Sequence, residues 1–253
     1  MTTTDSRAGE YTSIADLSVE LADGVLSVTL NRPDSLNSLT AAMLKGIGDA
    51  LEQAADDPRV RVVRLGGAGR GFSSGAGISE EDHANPGAAG TPADVLDAAN
   101  RAVRSIVALP QPVVAVVQGP AAGVGASLAL ASDIVLASEK AFFTLAFTKI
   151  GLMPDGGASA LIAAAVGRIR AMRMALLAER ISGAEAFDWG LVTAVYPADE
   201  FDAEVAKVIS TLVELEAALE REKRGQLVLL ESADFREGTR AFQQRRPANF
   251  TDS

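Results

Sequence analysis

Two glycine-rich segments and one acidic turn hold the residues best placed to do chemistry. The first segment is Gly69-Arg70-Gly71-Phe72-Ser73-Ser74-Gly75-Ala76-Gly77, and the second is Gln118-Gly119-Pro120-Ala121-Ala122-Gly123-Val124-Gly125. Each follows a β-branched run, one ending at Leu65 and the other at Val117. Glycine permits positive φ and lets a ligand approach the backbone. The second segment also opens a helical pattern, and free amides at a helix start carry partial positive charge that favours an oxyanion. One donor from each segment could cradle a single oxygen, and a thioester enolate is the charge such a hole suits. Ordinary tight turns use the same residue types, so the glycines by themselves leave both readings open.

Other catalytic motifs fail on spacing. Gly123 and Gly125 are followed by Leu128 where a dinucleotide fingerprint needs its third glycine, and no phosphate-loop pattern is present. Ser127 follows Gly125 at nucleophile-elbow spacing, but Ala129 stands at the second glycine position. The chain has no cysteine and one histidine, His83, in a polar stretch with Glu80, Glu81 and Asp82. That excludes thiol chemistry and sites with several histidine ligands in one chain, and no metal is expected. Asp155, in Pro154-Asp155-Gly156-Gly157, is the remaining acid/base candidate. Its competing role is to N-cap the helix that follows.

The elements that must position these residues read as a mixed α/β core. Leu17 to Leu30 predicts a hairpin turning at Asp23-Gly24, and Thr40 caps a helix through Met43, Ile47 and Leu51. Val60 to Leu65 and Val113 to Val117 read as buried strands, Pro92 to Leu109 as a helix, and Gly119 to Ala131 as a glycine turn entering a helix. Strands at Ile134 to Leu136 and Ala141 to Thr144 follow. Helical patterns then run from Ala158 to the end, interrupted near Gly190 to Pro197. Of the 253 residues 48% are hydrophobic, enough for a sizeable core, and the net charge of −10 argues against nucleic acid as a partner. The apolar runs are too short to cross a membrane, and Met1 to Glu10 lack a signal-peptide pattern. A soluble, cytoplasmic protein is the expectation.

Taken together, these residues resemble the crotonase (enoyl-CoA hydratase/isomerase) superfamily, from about Leu17 to Phe250. Val28 to Leu39 is similar to the family's first motif, and Gly71 to Ala76 to its first oxyanion loop. Gln118 to Gly125, with Ser132-Asp133-Ile134, is similar to the second loop, and Lys149 to Gly157 to the catalytic loop. Ser232 to Gly238, with Ala241-Phe242 and Arg246-Pro247, resembles the C-terminal signature. The resemblance implies a ββα spiral core over residues 1–195 and a helical C-terminal region over 196–253 that builds a homotrimer or a dimer of trimers. It implies an acyl-CoA thioester as ligand, with no separate cofactor because CoA is part of the substrate. The amides of Ala76 and Val124 would form the oxyanion hole. Ser35, Leu36, Ser74, Gly75, Gly123, Ser127 and Phe147 would line the substrate.

The chain departs from the hydratase pattern at the two glutamate positions, which hold Ser127 and Phe147. Glycine is common in the family where Val124 stands, which narrows the pocket but keeps the amide. Two-carboxylate hydration is therefore not expected. Isomerisation of a 3-enoyl to a 2-enoyl thioester needs one base, and Asp155 suits it. Two alternatives stay open: a hydratase with displaced acids from Glu80, Glu81 or Asp82, and a non-catalytic acyl-CoA binder. Phe72, Phe142, Phe143 and Phe147 line an acyl tunnel or pack the core. A helix-and-turn segment usual in the family between Val213 and Glu214 is missing here, either deleted in this protein or omitted from the sequence.

Overall fold

The computed structural model describes residues 10–77 and 91–251. Their contacts divide the chain into two units, residues 1–210 and 211–253. In the first unit, β1 (Leu17–Ala22) and β2 (Val25–Leu30) form the expected antiparallel hairpin, with Leu17 facing Leu30. Asp23 and Gly24 turn it with φ of 51° and 84°. Helix α1 (Ala41–Ala55) starts at Thr40, whose side chain accepts the Met43 N–H at 3.2 Å. It buries Met43, Leu44, Ile47, Leu51 and Ala54 along one face, each large side chain contributing on the order of 1.5–3 kcal/mol.

The rest of the unit repeats one step: a strand in a large sheet, a strand in a small sheet, then a helix. β3 (Val62–Gly67) leads through the first glycine loop to α2 (Pro92–Ala108). β4 (Val113–Val117) leads to β5 (Pro120–Ala122) and α3 (Val124–Leu130), and β6 (Ile134–Ser138) to β7 (Phe142–Thr144) and α4 (Ala158–Leu177). β8 (Ile181–Ser182), α5 (Gly183–Asp188) and β9 (Ala194–Tyr196) follow. The large sheet has the order β1-β2-β3-β4-β6-β9, parallel after the first pair, and the small sheet is β5-β7-β8. Because the chain steps between sheets at every turn, it winds as a ββα spiral. Val63, Leu65, Val113, Ala115, Val117 and Val135 face the helices as the core.

Two sequence expectations change. Gly119 to Ala131 was expected to pass straight from turn to helix, but β5 intervenes and α3 has only seven residues. The interruption near Gly190 contains β9, which closes the edge of the large sheet against β6. Strands of two or three residues carry no readable period, and only their distant partners define them. Helix α6 (Phe201–Glu231) runs unbroken through Val213-Glu214, where the family's extra segment would fall. In the second unit α6 is followed by α7 (Ala233–Gln243), capped by the Ser232 hydroxyl, which accepts the Phe235 N–H at 3.0 Å. No described helix is long and apolar enough to cross a membrane.

Candidate active site

The two glycine loops lie against each other because side chains larger than glycine have no room between them. A β-carbon on Gly119 would lie 2.0 Å from the Arg70 carbonyl oxygen, and one on Gly125 2.5 Å from the Ser73 β-carbon. Ser73 bridges to Ala121 as a short parallel pair, its N–H donating to the Pro120 carbonyl at 3.0 Å and its carbonyl accepting the Ala122 N–H at 2.9 Å. The first loop thus acts as another strand beside β5.

Two polar side chains hold this arrangement, and the sequence reading did not single them out. Asn37, fully buried at φ 56°, donates to the carbonyls of Ala68 and Gly71, both at 2.9 Å, and accepts the Arg32 N–H at 2.9 Å. Gln118 Nε2 faces the carbonyls of Gly67, Gly69 and Gly71 at 2.6, 3.2 and 2.8 Å. Their signal in the sequence was an amide side chain directly beside a glycine loop or a left-handed turn, where loose carbonyls need donors.

The predicted site residues form a contiguous chain of contacts. The Ser74 N–H donates to the Leu36 carbonyl at 2.8 Å, and its hydroxyl to the Ser35 carbonyl at 2.9 Å. Gly75 has φ 92°, and a β-carbon there would lie 2.8 Å from the Ala122 oxygen and 3.5 Å from the Gly123 α-carbon. Ala76 bridges Leu39 in parallel register: the Leu39 N–H donates to the Gly75 carbonyl and the Gly77 N–H to the Leu39 carbonyl. That pattern turns the N–H of Ala76 itself away from Leu39. Val124 opens α3 directly after Gly123. Among the described residues neither the Ala76 nor the Val124 N–H has an acceptor. Each amide therefore follows a glycine that touches the other loop, and each is unused.

The acid lies on the same side of α3. A β-carbon on Gly156 would meet the Ser127 β-carbon at 2.9 Å and Val124 Cγ2 at 3.3 Å, so the Asp155-Gly156 turn rests on α3. Ser127 donates to the Asp155 carbonyl at 3.0 Å, with the Gly123 carbonyl at 3.3 Å. Its hydroxyl has no base and acts as a brace. Asp155 does not cap α4: the capping position is Gly157, at φ 75°, with no side-chain cap. Among the described residues Asp155 Oδ1 is buried without a hydrogen-bond partner, and burial raises the carboxyl above the usual aspartate range.

The other glutamate position holds a buried ring. Phe147 sits in the 3-10 turn Ala146–Ile150 with its ring 3.7 Å from the β-carbon position of Gly123. Phe72 and Phe143 are fully buried in the core, while Phe142 lies under the Arg180 guanidinium, 4.6 Å from the ring centre. Glu80, Glu81, Asp82 and His83 lie outside the described residues.

A ββα spiral with two interlocked glycine loops is the crotonase fold. Residues 20–221 match the family model described as enoyl-CoA hydratase/isomerase, and the chain belongs to that family. A crystal structure of an enoyl-CoA hydratase from Mycobacterium avium subsp. paratuberculosis is similar at 62% identity and TM-score 0.72, over 95% of this chain and 100% of that one. The 1,2-epoxyphenylacetyl-CoA isomerase of Escherichia coli is 36% identical over 254 residues, covering 90% of this chain and 95% of its own. The 2,3-dehydroadipyl-CoA hydratase of the same organism is 32% identical over 257 residues, covering 94% of this chain and 99% of its own. These relatives thus include both an isomerase and a hydratase.

Proposed function

We propose that the protein is an acyl-CoA enzyme that isomerises a 3-enoyl thioester to the 2-enoyl thioester, with Asp155 as the single acid/base. The Ala76 and Val124 N–H groups hold the thioester oxygen. The Asp155 carboxylate removes a proton from C2, and the electron pair moves into the carbonyl to give a dienolate. Both amides stabilise that oxyanion, which bears more charge than the ground-state carbonyl. Protonated Asp155 returns the proton to C4 as the oxyanion collapses, and the double bond moves from C3–C4 to C2–C3. No atom is gained or lost, so no water-activating second carboxylate is required.

The observation that carries this reading is the Asp155 Oδ1, buried and without a hydrogen-bond partner among the described residues, in a turn whose Asp155 carbonyl and Gly156 rest on Ser127 and Val124. A carboxylate with one oxygen held away from water and hydrogen-bond donors is a stronger base than a fully solvated one, and a raised pKa favours proton transfer. Serine and phenylalanine at the other two positions supply no competing acid. The E. coli relative is likewise an isomerase of an acyl-CoA, named for an epoxide and not for a 3-enoyl group. The test is Asp155→Asn assayed on a panel of 3-enoyl-CoA substrates. Loss of isomerisation with CoA affinity unchanged supports the assignment, and undiminished turnover removes Asp155 from the mechanism.

A further inference from the structure

The large sheet has a second face, and one charged residue interrupts it. Val62, Arg64 and Gly66 of β3 point opposite to the core-facing Val63 and Leu65. On the same face stand Val114 and Val116 of β4 and Leu136 and Ser138 of β6. Val62, Val114, Val116 and Leu136 are buried, as are Phe201, Val205 and Ile209, which recur at helical spacing where α6 begins. Arg64 places a guanidinium on this apolar surface. It curls back over Gly66, where a β-carbon would lie 2.9 Å from Nη1. Among the described residues no carboxylate forms an ion pair with it. Burial pulls the guanidinium below the ordinary arginine range, and the charge of Asp202 offsets that only in part. A desolvated cation without a bonded partner is costly, and packing alone gives no reason for it.

The guanidinium opens on a cleft of ≈ 430 Å³ over the carboxyl ends of β3, β4 and β6. Arg70 and Lys140 also line it, and among the described residues Asp202 is its one acidic side chain. Three cations against one carboxylate stand together on a chain whose net charge is −10. The crevice at the carboxyl ends of parallel strands is where open α/β sheets bind ligands, and the volume falls within the usual range for small-molecule sites.

We propose that this cleft is an anion site for a small phosphate-bearing molecule, with the half-buried Arg64 as its anchor and the exposed Arg70 and Lys140 as its outer contacts. The guanidinium fork matches two phosphate oxygens at once, and a group of two or more negative charges balances the surplus. The site is separate from the thioester site. It uses the outer ends of the glycine loops, Gly67 to Arg70 and Gln118 to Pro120, whereas Ala76 and Val124 lie at the inner ends. Gln118 joins the cleft wall to the carbonyls of the first loop, so an occupant bears on the segment that ends in Ala76.

The test is isothermal titration of the full chain with inorganic phosphate and pyrophosphate, against chloride at matched ionic strength. One saturable site per chain is expected. Arg64→Met should weaken binding by about tenfold or more and exposed Lys140→Gln several-fold. Arg61→Met, on an exposed residue outside the cleft, should leave binding unchanged, and CoA should not displace the anion. Lys140→Gln keeps the test decisive if Arg64→Met does not fold. Binding that survives both cleft substitutions, that CoA displaces, or that citrate matches overturns the proposal. So does an absence of binding up to about 10 mM phosphate, or a change of oligomeric mass in Arg64→Met with phosphate affinity intact.

Discussion

Chemistry and stability pull in opposite directions at Asp155. Asp155→Asn keeps the shape of the side chain and removes both the base and the charge. If the carboxylate transfers the proton, kcat falls by about 10²–10⁴-fold. Stability moves the other way. The amide keeps an oxygen at the same place, so only the extra cost of burying the charge is relieved, which is on the scale of the about 1–3 kcal/mol desolvation penalty of an unsatisfied group. Asp155 is only partly buried, so about 1 kcal/mol is the appropriate figure, worth about 2–4 °C in Tm for a chain of this size. The sign follows from linkage. Burial raises the native carboxyl pKa, so the native state holds its proton more tightly than the unfolded chain. The penalty fades as pH falls through about 4 and is absent well below it, where both states are protonated. It grows as pH rises and is complete above the raised native pKa. The Tm offset between wild type and variant should therefore be smallest near about pH 3 and larger at pH 8, where the variant melts higher. Thermal melts from about pH 3 to 8, paired with isomerase turnover, read both effects. A Tm offset that does not change with pH would refute the desolvation argument, and retained turnover would refute the catalytic one.

The same raised pKa predicts that wild-type kcat/KM falls as pH is lowered through it, because only the ionised carboxylate accepts the proton; a flat acid limb would exclude Asp155. Asn37→Gly removes three hydrogen bonds from a fully buried position without adding strain at φ 56°. It should cost about 2–4 kcal/mol by denaturant midpoint, and a loss under ~0.5 kcal/mol would show that the loop does not depend on it. Gly119→Ala brings a β-carbon to 2.0 Å from the Arg70 oxygen and should destabilise by about 3 kcal/mol or more; an unchanged melt would contradict the interlocked geometry. Ser127→Glu places a long acid at a buried position against Gly156. It should lower soluble yield and give no water addition to 2-enoyl-CoA, and gain of hydration would show that the position accepts a catalytic glutamate.

Local signals made much of this fold legible. The hairpin had its alternation and Asp23-Gly24 turn, α1 had Thr40, and α2 had its helical pattern from Pro92 to Leu109, to which the structure adds a Thr91–Asp94 capping box. β5, β8 and β9 had no such signal, because a strand of two or three residues is defined by its partner: β9 exists through the pairing of Leu136 with Ala194. The order of Ser35, Leu36, Ser74 to Ala76, Gly123, Val124 and Ser127 along the chain was legible as motif order, while the hydrogen bonds and close approaches among them were not. The bonds of Asn37 and Gln118 were not, since which carbonyls they reach depends on three-dimensional approach. Arg64 was one of two arginines in the Val60 to Leu65 run, with Arg61, and only the sheet shows that it stands half-buried among buried side chains.

The two positions that depart from the hydratase pattern serve the acid instead of competing with it. Ser127 uses its hydroxyl to brace the Asp155 carbonyl, and the Phe147 ring fills the space beside Gly123. A glutamate at Ser127, whose hydroxyl bonds the Asp155 carbonyl, would bring a second negative charge close to Asp155 and water into its surroundings. The repulsion would raise the Asp155 pKa further and the hydration would lower it, so the proton affinity would no longer be set by burial alone. With serine and phenylalanine there, burial is the one influence found on the Asp155 carboxyl. The proposed chemistry needs that simplicity, because one group must both take a proton and give it back.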